Sequence, residues 1–298
     1  MIYVVLRGRI GNQLFMYAYA HALRLYDNEP IIIDDSYVLK ENWENSLMRY
    51  SLANVKFVHK KQLFSPFFKQ ILMDLMHQKI IFNMDYIKKF DYQVQKSKAF
   101  SKHGLITFEN GYYSLKRRTK NVLIDGYFQS EKFFIKKKEL LLQELAKNNE
   151  KFLENYKDAE LLKKRNSVCI SIKIEHNVGS SLYHVCTKEY WMKAIRYITE
   201  NVENPLFFIC SDNIDYVCEN LIDCNKYDVV FQDSSVPVNV SLAAMALCKH
   251  YIIGNTSFGW WAQYMSTNPS KIVIAPSKWM NVDMPIDIYQ DNWKIIEV

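Results

Sequence analysis

Short apolar runs alternate with longer stretches of helical spacing through the second half of the chain. Val168 to Ile172, Leu206 to Cys210, Asp228 to Phe231, Tyr251 to Ile253 and Lys271 to Ala275 have strand length. Between them, Thr187 to Asn201, Ile214 to Ile222, Val238 to Lys249 and Ser257 to Met265 place apolar residues on one helical face. Regular strand–helix alternation predicts a parallel sheet covered on both faces. The first half begins in the same way, with a strand at Tyr3 to Leu6, a helix at Gln13 to Leu25 and a strand at Ile31 to Asp34. Periodicity is weak over residues 40–120, and a clear unit returns with strand Val122 to Asp125 and helix Glu131 to Ala146. The polar segment Lys147 to Arg165 reads as a connection. The predicted architecture is α/β, with two Rossmann-like doubly wound domains, 1–155 and 156–298, facing a cleft.

Composition narrows the class. The 298 residues are 49% hydrophobic and hold only 8 Gly and 7 Pro, where an average chain would carry roughly 20 and 15. Collagen-like, linker-like and disordered readings are excluded. A formal charge of +6 comes from 38 basic and 32 acidic residues, a mixture unlike that of a nucleic-acid-binding domain. The basic clusters at Lys116 to Lys120, Lys136 to Lys138 and Lys163 to Arg165 read as solvated faces, with peripheral contact to a membrane surface left open. All six cysteines lie in the second half without a CxxC pair or zinc-like spacing, which suits reduced thiols in a cytoplasmic protein. Met1 to Leu6 reads as a buried strand, not a leader, and no apolar stretch is long enough to span a bilayer.

In an open parallel sheet, ligands bind beyond the carboxyl ends of the strands, and four segments fall there. Arg7 to Gln13 offers Gly11 for close backbone approach and Asn12 and Gln13 as amide donors and acceptors; an ordinary strand-to-helix turn explains it equally well. Gly254 to Trp261 would set Asn255, Thr256 and Ser257 at a helix N-terminus suited to a phosphate, or as simple caps. Ser211 and Asp212 follow a strand and can cap the next helix or bond a base or ribose. Lys173 can neutralise a phosphate, and Glu175 or His176 can act as a general base; each can also be merely solvated.

In this order the segments resemble the α-1,2-fucosyltransferases of glycosyltransferase family 11. The resemblance rests on Gly11-Asn12-Gln13, on Gly126-Tyr127-Phe128-Gln129, on Ser211-Asp212, and on a long C-terminal match including Asn255 to Trp261, Lys271 to Pro276 and Lys278-Trp279. It implies a GT-B-like fold whose C-terminal domain binds GDP-fucose as donor substrate and whose N-terminal domain helps to bind a galactoside acceptor. It further implies an inverting transfer without metal or other cofactor, acting on an oligosaccharide or lipid-linked glycan, with no nucleic-acid partner. Lys173, Ser211, Asp212, Asn255, Thr256 and Ser257 are then donor-side residues. Gly11, Asn12 and Gln13 are near the reacting centre, and Glu175 or His176 is the base. The family's His-x-Arg-Arg-Gly-Asp signature reads here as Ser171 to His176, so the arginine fork is replaced by the point charge of Lys173 and by apolar Ile174. A second acidic pattern reads as Asn239 and Ser241. These departures leave two alternatives: a transferase using another nucleotide sugar, and an inactive glycan-binding homologue.

Overall fold

The computed structural model describes residues 1–59, 86–109 and 111–298, with side chains from Lys89 onward in the second of these stretches. The chain forms two compact units. The first comprises Met1–Leu141 with Asp283–Ile288, and the second Leu142–Val282 with Tyr289–Val298.

The first unit is built on a five-stranded parallel sheet. Its strands are β1 (Ile2–Val5), β2 (Ile31–Asp34), β3 (Val55–Val58), β4 (Leu105–Ile106) and β5 (Val122–Ile124), in the order β3-β2-β1-β5-β4. Helix α1 (Ile10–Ala22) follows β1, α2 (Ser36–Lys40) follows β2, and α3 (Tyr86–Ser101) precedes β4. The apolar Ile2–Val5 run is buried throughout, as a central strand covered on both faces requires. Strands β3 and β4 lie in the stretch of weak periodicity and were not expected from it. Their short lengths of 4 and 2 residues carry too little pattern to be seen without the neighbouring strand.

The second unit has six parallel strands: β6 (Asn166–Ile172), β7 (Pro205–Ser211), β8 (Val229–Phe231), β9 (His250–Ile253), β10 (Val273–Pro276) and β11 (Lys294–Ile296). Their order is β11-β10-β9-β6-β7-β8. The long helices are α4 (Lys138–Phe152), α5 (Ala159–Lys164), α6 (Lys188–Asn201), α8 (Val238–Ala246) and α9 (Ser257–Met265), with α7 (Ile214–Tyr216) continuing as a π-turn over Val217–Leu221. All five expected strands and all four expected helices appear, within two residues of the expected bounds except that the helix from Val238 ends at Ala246, three residues before Lys249. Lys147 to Arg165, expected as a polar connection, is instead the end of α4, all of α5 and the short segment joining them. Their apolar residues are few but well placed, with Leu145 and Leu162 fully buried.

The cysteine expectation needs correction. Cys218 and Cys224 form a disulfide across the π-turn, with their Cα atoms 5.4 Å apart, a separation that suits the bond. Cys169, Cys210 and Cys248 are free and buried, and burial pushes all three thiols up in pKa, so they serve as small core hydrophobes. No helix among the described residues is long and apolar enough to cross a membrane.

Candidate functional site

In the second unit, β6 pairs with both β7 and β9, so the segments leaving all three strands converge at one carboxyl edge. The turn after β9 lies directly on β6: the Gly254 amide donates to the Ser171 carbonyl at 3.0 Å. A Cβ on Gly259 would stand 2.8 Å from Ser171 Oγ and 2.9 Å from its Cβ, so glycine here lets the first turn of α9 touch the strand. Thr256 is the N-cap, its hydroxyl accepting from the Gly259 amide at 3.1 Å. Ser257 opens α9, partly exposed, where the helix dipole favours an anion.

Asn255 has a different occupation. It is nearly buried, and its Nδ2 donates to the Tyr183 carbonyl at 3.1 Å and the Trp279 carbonyl at 3.0 Å. Its Oδ1 accepts from Asn177 Nδ2 at 3.3 Å and from the Cys186 thiol at 3.7 Å. The amide therefore ties three segments of the unit together.

Asp212 is the hub of the altered signature. Its carboxylate is paired with the Lys173 ammonium and accepts from the Ile174 amide at 2.7 Å and the Glu175 amide at 3.2 Å. Partial burial pushes its pKa up, but these donors outweigh that and hold the carboxyl below its ordinary range. Asp212 thus binds the loop from Lys173 to Glu175, while Asn213 caps α7 by accepting from the Tyr216 amide at 2.9 Å. Ser211 Oγ accepts from the Asn213 amide at 3.1 Å. The Glu175 carboxylate stands 3.7 Å from Lys173 Nζ, and exposed His176 holds a left-handed backbone at φ 64°. Lys173, Glu175, Ser211 and Asp212 are therefore brought together at one edge with the Thr256–Ser257 turn. Asn239 and Ser241, where the family has an acidic pattern, are fully buried near the start of α8, and Ser241 Oγ accepts from Gln232 Nε2 at 2.8 Å.

In the first unit, Gly11 lies buried in the first turn of α1. Gln13 is fully buried, its Nε2 donating to the carbonyls of Gly8 at 2.9 Å and Glu44 at 2.8 Å, and its Oε1 accepting from the Ser46 amide at 2.9 Å. It shapes the loop before α1. Asn12 Oδ1 accepts from Gln129 Nε2 at 2.7 Å, so two motifs far apart in sequence meet in space. Gly126, at φ 155°, lies so close to Phe108 that a Cβ would come within 2.4 Å of the Phe108 carbonyl oxygen, which explains the glycine of that motif.

Several groups at the carboxyl ends of the first unit's strands were missed from the sequence. Arg7 Nε donates to Asp125 Oδ1 at 2.5 Å and Nη2 to Oδ2 at 3.0 Å, and its guanidinium lies 4.5 Å from the Tyr37 ring centroid. Asp35, beyond β2, faces His59, beyond β3. The only signal available was position, since each follows a strand. Among the described residues, no group of three or more His, Cys, Asp or Glu is placed to hold a metal ion.

Comparison with known proteins identifies the family. The family model described as Glycosyl transferase family 11 matches residues 1–297. The O-antigen biosynthesis glycosyltransferase WbnK of Escherichia coli is 25% identical, over 98% of this chain and 99% of that protein. An alpha-1,2-colitosyltransferase of Escherichia coli is 26% identical, over 98% of this chain and 97% of its own length. The crystal structure of fucosyltransferase NodZ from Bradyrhizobium superposes with a TM-score of 0.52 at 12% identity, covering 89% of this chain and 92% of that one, which bears on the GT-B-like fold. With the family model spanning nearly every residue, this chain belongs to glycosyl transferase family 11.

Proposed function

We propose that the protein transfers L-fucose from GDP-fucose to the 2-hydroxyl of a galactoside in a surface glycan, with inversion and without a metal. The observation that carries this reading is the convergence of the Lys173–Asp212 loop with the glycine-packed turn before α9 on adjacent strands β6 and β9. A cation and a helix N-terminus at one carboxyl edge suit a nucleoside diphosphate leaving group, whose charge grows as the glycosidic bond breaks. Lys173 then exchanges its Asp212 partner for the diphosphate, or shares itself between the two. Ser257 and the first amides of α9 take the remaining phosphate oxygens, while Ser211 and Asp212 lie toward the nucleoside. With one point charge in place of an arginine fork, donor affinity or rate falls by tenfold or more against a fork-bearing site, from a loss of about 1.5 to 3 kcal/mol.

A second reading has specific support. The relative named as an alpha-1,2-colitosyltransferase aligns along nearly the whole chain. Transfer of colitose from its nucleotide, to the same hydroxyl, uses the same diphosphate chemistry with a different sugar pocket.

The test offers the full chain GDP-fucose, GDP-colitose and other nucleotide sugars with galactoside acceptors, following nucleotide release and product mass. Transfer that collapses in Lys173→Ala is the expected result, and the productive donor decides between the two readings. A well-folded protein that binds no nucleotide sugar overturns both.

A further inference from the structure

The most exposed apolar side chains and two of the basic clusters meet within the first unit, at the amino edge of its sheet. This edge is opposite the strand ends where ligands of such sheets bind. Residues 23–29 join α1 to β2, and residues 116–120 lead into β5. Strands β2 and β5 flank β1, with Ile2 in register with both Ile31 and Val122, so the two segments share one edge. Arg117 ties them together: Nη1 donates to the Leu23 carbonyl at 2.7 Å, and Nη1 and Nη2 each donate to the Glu29 carboxylate at 2.6 Å. A third segment, the 3-10 turn Ile135–Lys137, is joined to them by Lys137 Nζ, 3.3 Å from Asp27 Oδ1.

Leu25 and Tyr26 are 67% and 59% exposed, the two highest values for large apolar side chains among the described residues, and Ile135 is 44% exposed. Single exposed apolar side chains are ordinary, but a solvated turn usually carries Gly, Asn, Asp or Ser instead. The backbone under the pair is fixed. Arg24 Nε donates to the Glu29 carbonyl at 3.1 Å, the Leu25 amide to Glu29 Oε2 at 2.8 Å, and the Glu29 amide to the Tyr26 carbonyl at 3.0 Å. Both side chains are thus held in water, which is favourable only against a surface that covers them. Residues 23–29, 116–120 and 135–139 together hold eight Lys and Arg against three acidic residues, and one of those, Glu29, is buried against Arg117. Lys116, Arg118, Lys120 and Lys136 are exposed and have no ionic partner among the described residues.

We propose that this face docks the protein on a bilayer rich in anionic headgroups. Leu25 and Tyr26 enter the boundary between headgroups and acyl chains, while Lys116, Arg118, Lys120 and Lys136 meet lipid phosphates. A ring with a polar tip suits that boundary. Cations beside an apolar anchor supply the second of the two signals that stable peripheral binding needs. Charge also decides against a second copy of the chain, since unpaired cations repel their own kind across a two-fold interface. Docking at the amino edge leaves the carboxyl edge of the same sheet open. The assignment stands independently of the donor named above.

The experiment measures flotation of the full chain with vesicles of phosphatidylglycerol and phosphatidylcholine in equal parts, and with vesicles of phosphatidylcholine alone. The wild-type chain should bind the first, release them as salt rises, and leave the second unbound. Leu25→Ser combined with Tyr26→Ser should weaken binding by about tenfold or more, and Arg118→Gln and Lys120→Gln by about fivefold each. All four side chains are exposed, so thermal melts should match the wild type. Tyr26→Trp should add fluorescence that brominated acyl chains quench. Lys163→Gln combined with Lys164→Gln, in the basic cluster of the second unit, should leave binding unchanged. No binding to the anionic vesicles overturns the proposal while leaving the transferase reading in place. So does a loss confined to the Lys163 and Lys164 variant, undiminished binding without Leu25 and Tyr26, or a chain that ignores vesicles and dimerises through this turn.

Discussion

The two units solve the same problem, a buried parallel sheet with polar strand ends, by different means. The first buries ion pairs. Glu29 and Arg117 have side chains only 1% and 5% exposed, and the pair is reinforced by the Met1 amine, which donates to Glu29 at 2.7 Å. Arg7 with Asp125, whose carboxylate is nearly buried, repeats the device at the carboxyl edge. The second unit closes its interior with neutral groups. Tyr190 donates to the Ile253 carbonyl at 2.6 Å, Tyr251 to the Cys248 carbonyl at 2.7 Å, and Ser167 to the Leu162 carbonyl at 2.6 Å. Its ion pairs among the described residues, such as Lys193–Glu189 and Arg165–Asp228, are on the surface. The first unit is therefore vulnerable to loss of a charge, and the second to loss of fit.

The largest expected effect follows from breaking a buried pair in the first unit. Glu29→Ala leaves the Arg117 guanidinium buried without its carboxylate, a cost of about 3 to 5 kcal/mol. Denaturant unfolding followed by hydrogen exchange in β1 and β2 checks this, and a loss under 1 kcal/mol would refute the contrast. The pH dependence has a definite sign. Burial pushes the Glu29 carboxyl up, but bonds from Arg117, the Met1 amine and the Leu25 amide outweigh it and lower the pKa to about 2. A depressed folded value means that the stabilisation is complete above the unfolded value and is lost as pH falls from about 4.5 toward 2. Of the six tryptophans, all but Trp43 lie in the second unit. Acid titration should therefore lose first-unit exchange protection before tryptophan fluorescence changes.

This contrast also explains what could be read from the sequence. In the second unit the proposed donor-side residues lie on contiguous segments that follow strands, so the Lys173 loop and the Thr256–Ser257 turn were legible from strand ends alone. Helix Ser257–Met265 and strand Ile31–Asp34 appear at the expected bounds. In the first unit, Arg7 and Asp125 are 118 residues apart and Asp35 and His59 are 24 apart. Such pairs become visible only when strand order is known, and β3, which delivers His59, was itself hidden by its length. Asn255 and Gln13 show the converse. Residue type marks an amide as able to bind a ligand, but not that backbone carbonyls already occupy its donors.

A smaller effect is expected where fit matters. Gly259→Ala drives a Cβ into Ser171, whose side-chain atoms lie 2.8 and 2.9 Å from its position. Overpacking of this kind costs about 1 to 3 kcal/mol. Ser171→Gly removes both clashing atoms, so the double variant should recover most of the loss. Thermal unfolding read by tryptophan fluorescence follows the second unit directly. If the double variant is no more stable than Gly259→Ala, the close approach of α9 to β6 is not what the glycine serves.

The smallest effect on stability is expected at the ion pair that matters most for the proposed chemistry. The side chains of Lys173 and Asp212 are each about a quarter exposed, so solvent screens their attraction and the coupling should be under about 1 kcal/mol. The lowered carboxyl of Asp212 gives it the same pH sign as Glu29, with its contribution present above the ordinary carboxylate range and fading as pH falls. A double-mutant cycle with Lys173→Met and Asp212→Asn measures that coupling, while nucleotide titration of the same variants measures the site. Lys173→Met should weaken nucleotide-sugar binding by about tenfold or more, from the loss of a charge-assisted contact of 1.5 to 3 kcal/mol. Asp212→Asn frees the cation from its internal partner but also loosens the loop that Asp212 holds through the Ile174 and Glu175 amides. A large stability coupling with unchanged nucleotide affinity would make the pair a fold device like those of the first unit. A small coupling with a large loss of affinity would separate the units as argued: charge buried for structure in one, and charge kept near solvent for a ligand in the other.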